Sequence, residues 1–216
     1  MKLQKILSRL QKLHPKEIDL SLVRIKNLLK KLGNPQDKLR NIVTVVGTNA
    51  KASMCFSLKS ILNQGRYKTN LYTSPHLQSY KERFIFDDKE INEEDLIELL
   101  TGVEKTLGDD NATLFEILTC AFLKYAENFK DNVNIVEAGL FHQFDSTNVF
   151  KENLMTLIGV IHNDHFQWLE NKSIEGVIYE KTAKLLNSNI FINKQVNNEI
   201  GNKIEKSLEK NTSNKY

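Results

Sequence analysis

Cysteine, proline and tryptophan are scarce in this 216-residue sequence, at two, three and one. Cys55 and Cys120 both fall in segments of helical spacing, without metal-ligand spacing. They support neither a disulfide framework nor a zinc knuckle, and read as buried free thiols of a reducing cytosol. With only nine glycines and three prolines against 40% hydrophobic residues, the chain can bury a real core, and one domain is the default. A dominant charge is also missing. The net excess of three positive charges (pI near 8.7) is spread along the chain and does not predict a nucleic-acid partner. The N-terminal M-K-L-Q-K-I-L-S-R-L-Q-K lacks a continuous apolar core, so it reads neither as a secretory signal nor as a membrane span. The expectation is a cytoplasmic protein.

What is present is organised around residues 42–53, I-V-T-V-V-G-T-N-A-K-A-S. Ile42, Val43, Thr44, Val45 and Val46 read as a strand that runs into Gly47. From Ser53 onward Phe56, Leu58, Ile61 and Leu62 take helical spacing. A strand, a glycine turn and a helix start suit phosphate: backbone N–H groups converge, the helix dipole favours an anion, and Lys51 adds a full charge. The stretch is a phosphate-loop candidate, though not of the G-x-x-x-x-G-K-[ST] form.

Around it, residues 19–32 carry Ile25, Leu29 and Leu32 at steps of three and four, which predicts an amphipathic helix stopped by Gly33, Asn34 and Pro35. Further strands are expected at 67–73, 133–136, 154–161 and 190–192. Further helices are expected after Asn92 as far as Gly108, over 113–129 with a Thr113/Glu116 capping box, and from Ser173 to about Leu186. Residues 81–88 read as a charged connection, and 194–216 as a polar, Lys/Asn-rich tail in which Ile200, Ile204 and Leu208 could line one helix face. Alternating strands and helices predict an α/β fold: a P-loop-type, mostly parallel sheet with helices on both faces. Ligands in such sheets bind beyond the carboxyl ends of the strands. Four strands there deliver Lys51 and Ser53, then Ser74, Glu137 and His165. Singly, each has a plainer reading: Ser74 as a turn residue, Glu137 as a loop charge, His165 as a cap or a packing partner of Trp168. Together, a hydroxyl, a carboxylate and an imidazole beside a phosphate loop make a Mg²⁺ site, with the imidazole leaving room for Mn²⁺.

The strings L-H-P-K-E-I-D-L-S-L-V-R-I (13–25), V-G-T-N-A-K-A-S (46–53), Y-T-S-P-H-L (72–77), T-L-F-E (113–116), V-E-A-G-L (136–140), D-S-T-N-V (145–149), N-D-H (163–165) and Y-E-K-T-A (179–183) occur in this order. In that succession the chain resembles the folylpolyglutamate synthase/dihydrofolate synthase family of the Mur ligase superfamily. The resemblance implies an ATP-dependent amide ligase of Mur ligase central-domain type. It would join L-glutamate to dihydropteroate or a folate through an acyl phosphate, as a monomer, with small-molecule substrates and neither nucleic acid nor membrane as partner. Carried onto these positions, it implies ATP binding by Gly47, Thr48, Asn49, Ala50, Lys51, Ala52 and Ser53, and magnesium binding by Ser74, Glu137 and His165. It implies catalytic roles for Lys51 and for Lys181, which matches the lysine that this family carbamylates; without the match Lys181 would be read as a solvated charge. Substrate binding is implied for Ile18, Asp19, Leu20, Phe115, Glu116, Gln143, Phe144 and Asp145.

The chain also departs from the family pattern. Ala50 and Ala52 stand for both inner glycines of G-T-N-G-K-G-S. An alanine forced to positive φ there costs on the order of 1 kcal/mol. Phe141, His142, Gln143 and Phe144 replace G-G-R-L before Asp145, so a neutral side chain stands where an arginine would meet an anion. Relatives carry a further α/β domain for glutamate and nucleotide. The expectation is therefore an ATPase half: residues 1–193 as the ATP-binding domain, no C-terminal ligase domain, and negligible ligase turnover for this chain alone. A degenerate, non-catalytic nucleotide- or pterin-binding module is the alternative. An unrelated P-loop kinase would leave S-P-H-L and N-D-H unexplained.

Overall fold

The computed structural model describes residues 2–12, 21–169, 171–186 and 189–211. Seven strands form one sheet in the order β4-β3-β2-β5-β1-β6-β7. β1 (Ile42–Val46), β2 (Thr69–Tyr72), β5 (Val133–Glu137), β6 (Met155–Ile158) and β7 (Asn189–Ile192) are parallel. β3 (Phe84–Phe86) and β4 (Lys89–Glu90) are antiparallel. The apolar β1 is central because it is buried along its whole length, which two covered faces and two neighbours require.

Side chains alternate across the sheet, and the register shows what each face meets. Val43, Val45, Leu71, Ile85 and Ile135 share one face and pack with Cys55, Met54, Leu58 and Leu62 of α3 (Lys51–Gln64). On the opposite face Ile42, Tyr72, Phe84, Phe86 and Val136 meet α1 (Lys2–Lys12), α2 (Val23–Lys31), α4 (Glu93–Leu107) and α5 (Leu114–Ala126). Val46 and Ile158 meet α6 (Ile174–Thr182) and α7 (Asn198–Asn211) on that same face. The expected two-sided cover is present but unequal, with α3 alone on one side.

The caps follow the sequence. Asn92 Oδ1 accepts from the Asp95 N–H at 2.8 Å, Ser173 Oγ from the Gly176 N–H at 3.2 Å, and Thr113 and Glu116 make the reciprocal box. Three expectations need correction. The segment 81–88 is not merely a charged connection: its Phe84–Phe86 is β3, joined to β4 through Asp87 and Asp88 at φ 47° and 70°, a two-residue turn of the type whose twist suits a hairpin. Residues 194–216 do not trail as a polar tail over their described part, since Ile204 and Leu208 of α7 are fully buried beside α6. The helix expected over 19–32 begins only at Val23, and α1, whose Ile6, Leu7 and Leu10 enter the core, was not expected at all. Among the described residues no helix is long and apolar enough to cross a membrane.

Candidate functional site

The carboxyl end of β1 leads through Gly47 to α3, and the first turn of that helix is bare. No side chain caps it, and the N–H groups of Ala50, Lys51, Ala52 and Ser53 find no acceptor among the described residues. Ala52 and Ser53 are exposed, so these donors open to solvent. Four orphan donors at a positive dipole end form an anion site. Lys51 folds over it, with Nζ donating to the Thr48 carbonyl at 3.3 Å. Thr48 and Asn49, also expected to bind phosphate, are otherwise engaged. Both N–H groups donate to the Val160 carbonyl (2.9 and 3.0 Å), and Thr48 Oγ1 accepts from the His162 N–H at 3.2 Å. These bonds pin the loop to the end of β6.

Ala50 has φ 66°, the left-handed conformation, whereas Ala52 lies inside the helix. Only the first of the two alanine departures is strained. Ala50→Gly is expected to stabilise the fold by about 1 kcal/mol, which a urea denaturation midpoint reads directly. Ala52→Gly, in a helical turn, should cost up to about 1 kcal/mol instead.

Lys181 of α6 is not a solvated charge. It is 2% exposed, and its Nζ donates to the Gly47 carbonyl (3.0 Å) and the Leu140 carbonyl (2.8 Å), beneath the Phe141 ring at 5.4 Å. Burial, with help from the Lys51 charge, lowers its pKa to about 8, against the pull of Asp164 and Asp145. Lys181 thus ties the loop after β1 to the segment after β5.

At the end of β5, Glu137 is 2% exposed and accepts from the Ser74 N–H at 3.1 Å. Burial raises its pKa, opposed by the Ser74 N–H, Lys51 and Arg83. Among the described residues no hydrogen bond occupies the Ser74 hydroxyl or Glu137 Oε1, so a hydroxyl and a carboxylate oxygen remain available side by side. That donor set suits a hard divalent ion. His165 adopts φ 52°, lies 3.1 Å from Asp164 Oδ2 and meets Phe141 edge-on at 6.2 Å. Among the described residues no group of three His, Cys, Asp or Glu side chains could hold a metal. Of the three residues expected to bind magnesium, Ser74 and Glu137 are joined through the Ser74 N–H, and His165 lies at the end of the segment after β6.

A cavity of about 200 Å³ opens beside this rim, walled by Phe115, Leu140, Phe141 and Phe144 and edged by Arg24, Glu116 and Glu180. Of the residues expected to bind substrate, Phe115, Glu116, Phe144 and Asp145 line it, Gln143 does not, and Ile18, Asp19 and Leu20 lie outside the described residues. Glu116 combines its capping role with an ion pair to Arg24 at 3.2 Å; Arg24 was not anticipated, since inside an amphipathic helix it reads as a surface charge. Asp145 faces its own loop. One oxygen accepts from the Gly139 and Leu140 N–H groups (3.0 and 3.1 Å) and the other from the Thr147 N–H and hydroxyl. These bonds staple the loop at the wall of the cavity.

Next to it, His142 is 3% exposed, neither ring nitrogen has a hydrogen-bond partner of good geometry, and burial lowers its pKa to about 4 against the pull of the Lys184 backbone. A depressed folded pKa means that the unfolded chain takes up the proton first. The stability this neutral imidazole permits is complete above about pH 6.5 and is lost as pH falls toward 4. His142→Leu should remove that acid limb and, by deleting two unpaired buried polar atoms, stabilise the fold at pH 7 by about 1 kcal/mol. Urea midpoints at pH 5 and 7 for both proteins read the two effects.

The chain matches no family model. It is 36% identical over 169 residues to the Bacillus subtilis dihydrofolate synthase/folylpolyglutamate synthase, a match covering 75% of this chain and 39% of the relative. It is 35% identical over 163 residues to the Escherichia coli protein of the same name, covering 76% and 38%. Among solved structures, E. coli FolC in complex with DHPP and ADP superposes with a TM-score of 0.83 at 30% identity, over 96% of this chain and 49% of that one. The Yersinia pestis bifunctional folylpolyglutamate synthase/dihydrofolate synthase complexed with AMPPNP and Mn ion gives 0.84 at 28% identity, over 99% and 51%. The chain spans about two fifths of the length of the curated relatives it matches.

Proposed function

We propose, for a chain related in sequence and in its Mur ligase type of fold to the folylpolyglutamate synthase/dihydrofolate synthase family, that it is the ATP-binding half of an ATP-dependent carboxylate–amine ligase. The observation that carries the proposal is the bare first turn of α3, where four unpartnered N–H groups and Lys51 meet beside the Ser74–Glu137 pair. The N–H groups of residues 50–53 and the Lys51 ammonium would hold the ATP phosphates. Ser74 and Glu137 would hold Mg²⁺ or Mn²⁺, with His165 as a third donor. A bound cation there would neutralise phosphate charge, which is most of what phosphoryl transfer asks of a protein.

The cavity of Phe115, Leu140, Phe141 and Phe144 would take the flat ring of dihydropteroate or a folate, with the Arg24–Glu116 pair reading its polar edge. In the overall reaction the substrate carboxylate takes the γ-phosphoryl group and releases ADP. The glutamate amine then displaces phosphate from the acyl phosphate and loses a proton, leaving an amide. Lys181 as a carbamate would keep a single Nζ–H, so it could donate to at most one of the two carbonyls it now holds. In the present arrangement it is a clamp. A monomeric, cytoplasmic protein that works on small molecules completes the reading.

Calorimetric titration with ATP and Mg²⁺ tests it. Saturable heat that weakens when the metal is withheld is expected. No heat at millimolar ATP would remove the nucleotide role. Binding without turnover is the second reading, favoured by the strained Ala50. ADP release with dihydropteroate and glutamate separates the two.

A further inference from the structure

The wall of the cavity beside Phe115 carries a hydroxyl whose proton is already committed. Ser146 lines that cavity and is 6% exposed. Its Oγ lies 3.1 Å from Thr119 Oγ1 of α5, which in turn lies 3.2 Å from the Tyr72 hydroxyl at the end of β2. Thr119 and Tyr72 are both buried.

Counting protons fixes the sense of both contacts. A threonine hydroxyl has one proton and two lone pairs. Thr119 directs its proton to the Phe115 carbonyl, 2.8 Å away within α5. It has none left for Ser146 or Tyr72, so both of those hydroxyls donate to Thr119 and fill its two lone pairs. The Ser146 proton therefore points at Thr119, and its own lone pairs find no donor among the described residues. A serine hydroxyl ordinarily turns to donate or accept as its partner requires; this one can only accept. A second wall residue offers the same polarity. Glu116 Oε2 takes the Thr113 N–H at 2.7 Å and Arg24 Nε at 3.2 Å, while Oε1 has no hydrogen bond among the described residues. Buried acceptors without donors are costly, and a ligand N–H removes that cost.

We propose that Ser146 is a specificity-determining residue of this cavity: it accepts from an N–H or NH₂ on the edge of a flat heteroaromatic ring and rejects a ring with a carbonyl oxygen at that place. Thr119 is the positioning residue that holds Ser146 in this role. The inference rests on the reading of the cavity as the pterin site and adds to it the direction of one hydrogen bond. Discrimination of this kind is strong, because the wrong ring sets two acceptors face to face.

Equilibrium dialysis of the full chain against 6-carboxypterin and against 6-carboxylumazine, in which a carbonyl replaces the 2-amino group, tests it. The amino compound is expected to bind at least about tenfold more tightly. Ser146→Ala should bring the two to within about threefold of each other, chiefly by weakening the amino compound. Thr119→Val frees the Ser146 proton to turn to the ligand and should also shrink the ratio. Thr119→Ser, which keeps one hydroxyl with the same carbonyl partner, should preserve it. A merely structural role for Thr119 would instead lower both affinities together and leave their ratio intact. Matching thermal melts show that the variants keep the fold, and Ser146→Ala carries the test if Thr119→Val does not. Equal binding of the two compounds, or a ratio that survives Ser146→Ala, overturns this inference and leaves the pterin reading standing. Failure of both compounds to bind at millimolar concentration overturns the two together.

Discussion

Gly159→Ala is expected to weaken ATP binding by at least about tenfold and to cost about 2 to 3 kcal/mol of stability. A Cβ at Gly159 would sit 2.6 Å from the Asn49 carbonyl oxygen and 3.3 Å from that of Val46, both backbone atoms with no freedom to turn away. Across the gap Gly47, at φ 144°, already brings a would-be Cβ to 3.0 Å from the Gly159 Cα. The ends of β1 and β6 therefore touch backbone to backbone. Pushing them apart strains the two bonds from Thr48 and Asn49 to the Val160 carbonyl and moves the first turn of α3. Gly102→Ala is the control: its Cβ meets nothing within 4 Å on α4, and alanine there should stabilise the helix by up to about 1 kcal/mol. Urea denaturation and ATP titration of both variants separate a loop effect from a general intolerance of alanine.

Lys181→Met should cost about 2 kcal/mol, because two charge-assisted hydrogen bonds to the Gly47 and Leu140 carbonyls are lost while the cost of burying the ammonium is recovered. The pH dependence distinguishes this clamp from simple packing. With a folded pKa near 8 and an ordinary lysine value of 10.5, the unfolded chain binds more protons across that window. The contribution of Lys181 to stability therefore rises from about pH 8 to 10.5 and is lost again as pH falls through 8. Urea midpoints at pH 7.5 and 10 should show that rise in the unaltered protein and not in Lys181→Met. Freed from α6, the phosphate loop should also bind ATP more weakly, though less so than after Gly159→Ala.

Much of this geometry was legible in the sequence because it rests on local rules. The unbroken β-branched run of 42–46 could only be a buried strand, and Asn92, Thr113 and Ser173 announced their helices through capping chemistry. Ser74 and Glu137 were placed together by the topology that follows from alternating strands and helices. What was hidden depended on partners distant in the chain. Phe84–Phe86 sat among charges that masked a short hairpin, although Asp87-Asp88, two residues tolerant of positive φ, marked its turn. Lys181 looked solvated because the helix face around it is charged; its partners lie 134 and 41 residues away. Gly159 carried a usable signal, since an isolated glycine at the end of a strand often marks a close approach of two backbones. The four loop donors that hold Asp145 were likewise not legible in the sequence, because they come from the fold of its own loop.

The inverse-glycine pattern at 50 and 52 shows how position decides cost. Two identical departures from the family loop differ because one falls at φ 66° and the other one residue inside a helix. The loop between β1 and α3 thus keeps its shape with strain at Ala50 and none at Ala52.

Amide hydrogen exchange at the start of α3, with and without ATP and Mg²⁺, tests the anion site most directly. The amides of Ala50, Lys51, Ala52 and Ser53, which now lack acceptors, should exchange markedly more slowly once nucleotide is present, while those of α7 stay unchanged. Saturating ATP that leaves these four amides as fast as before would contradict the account.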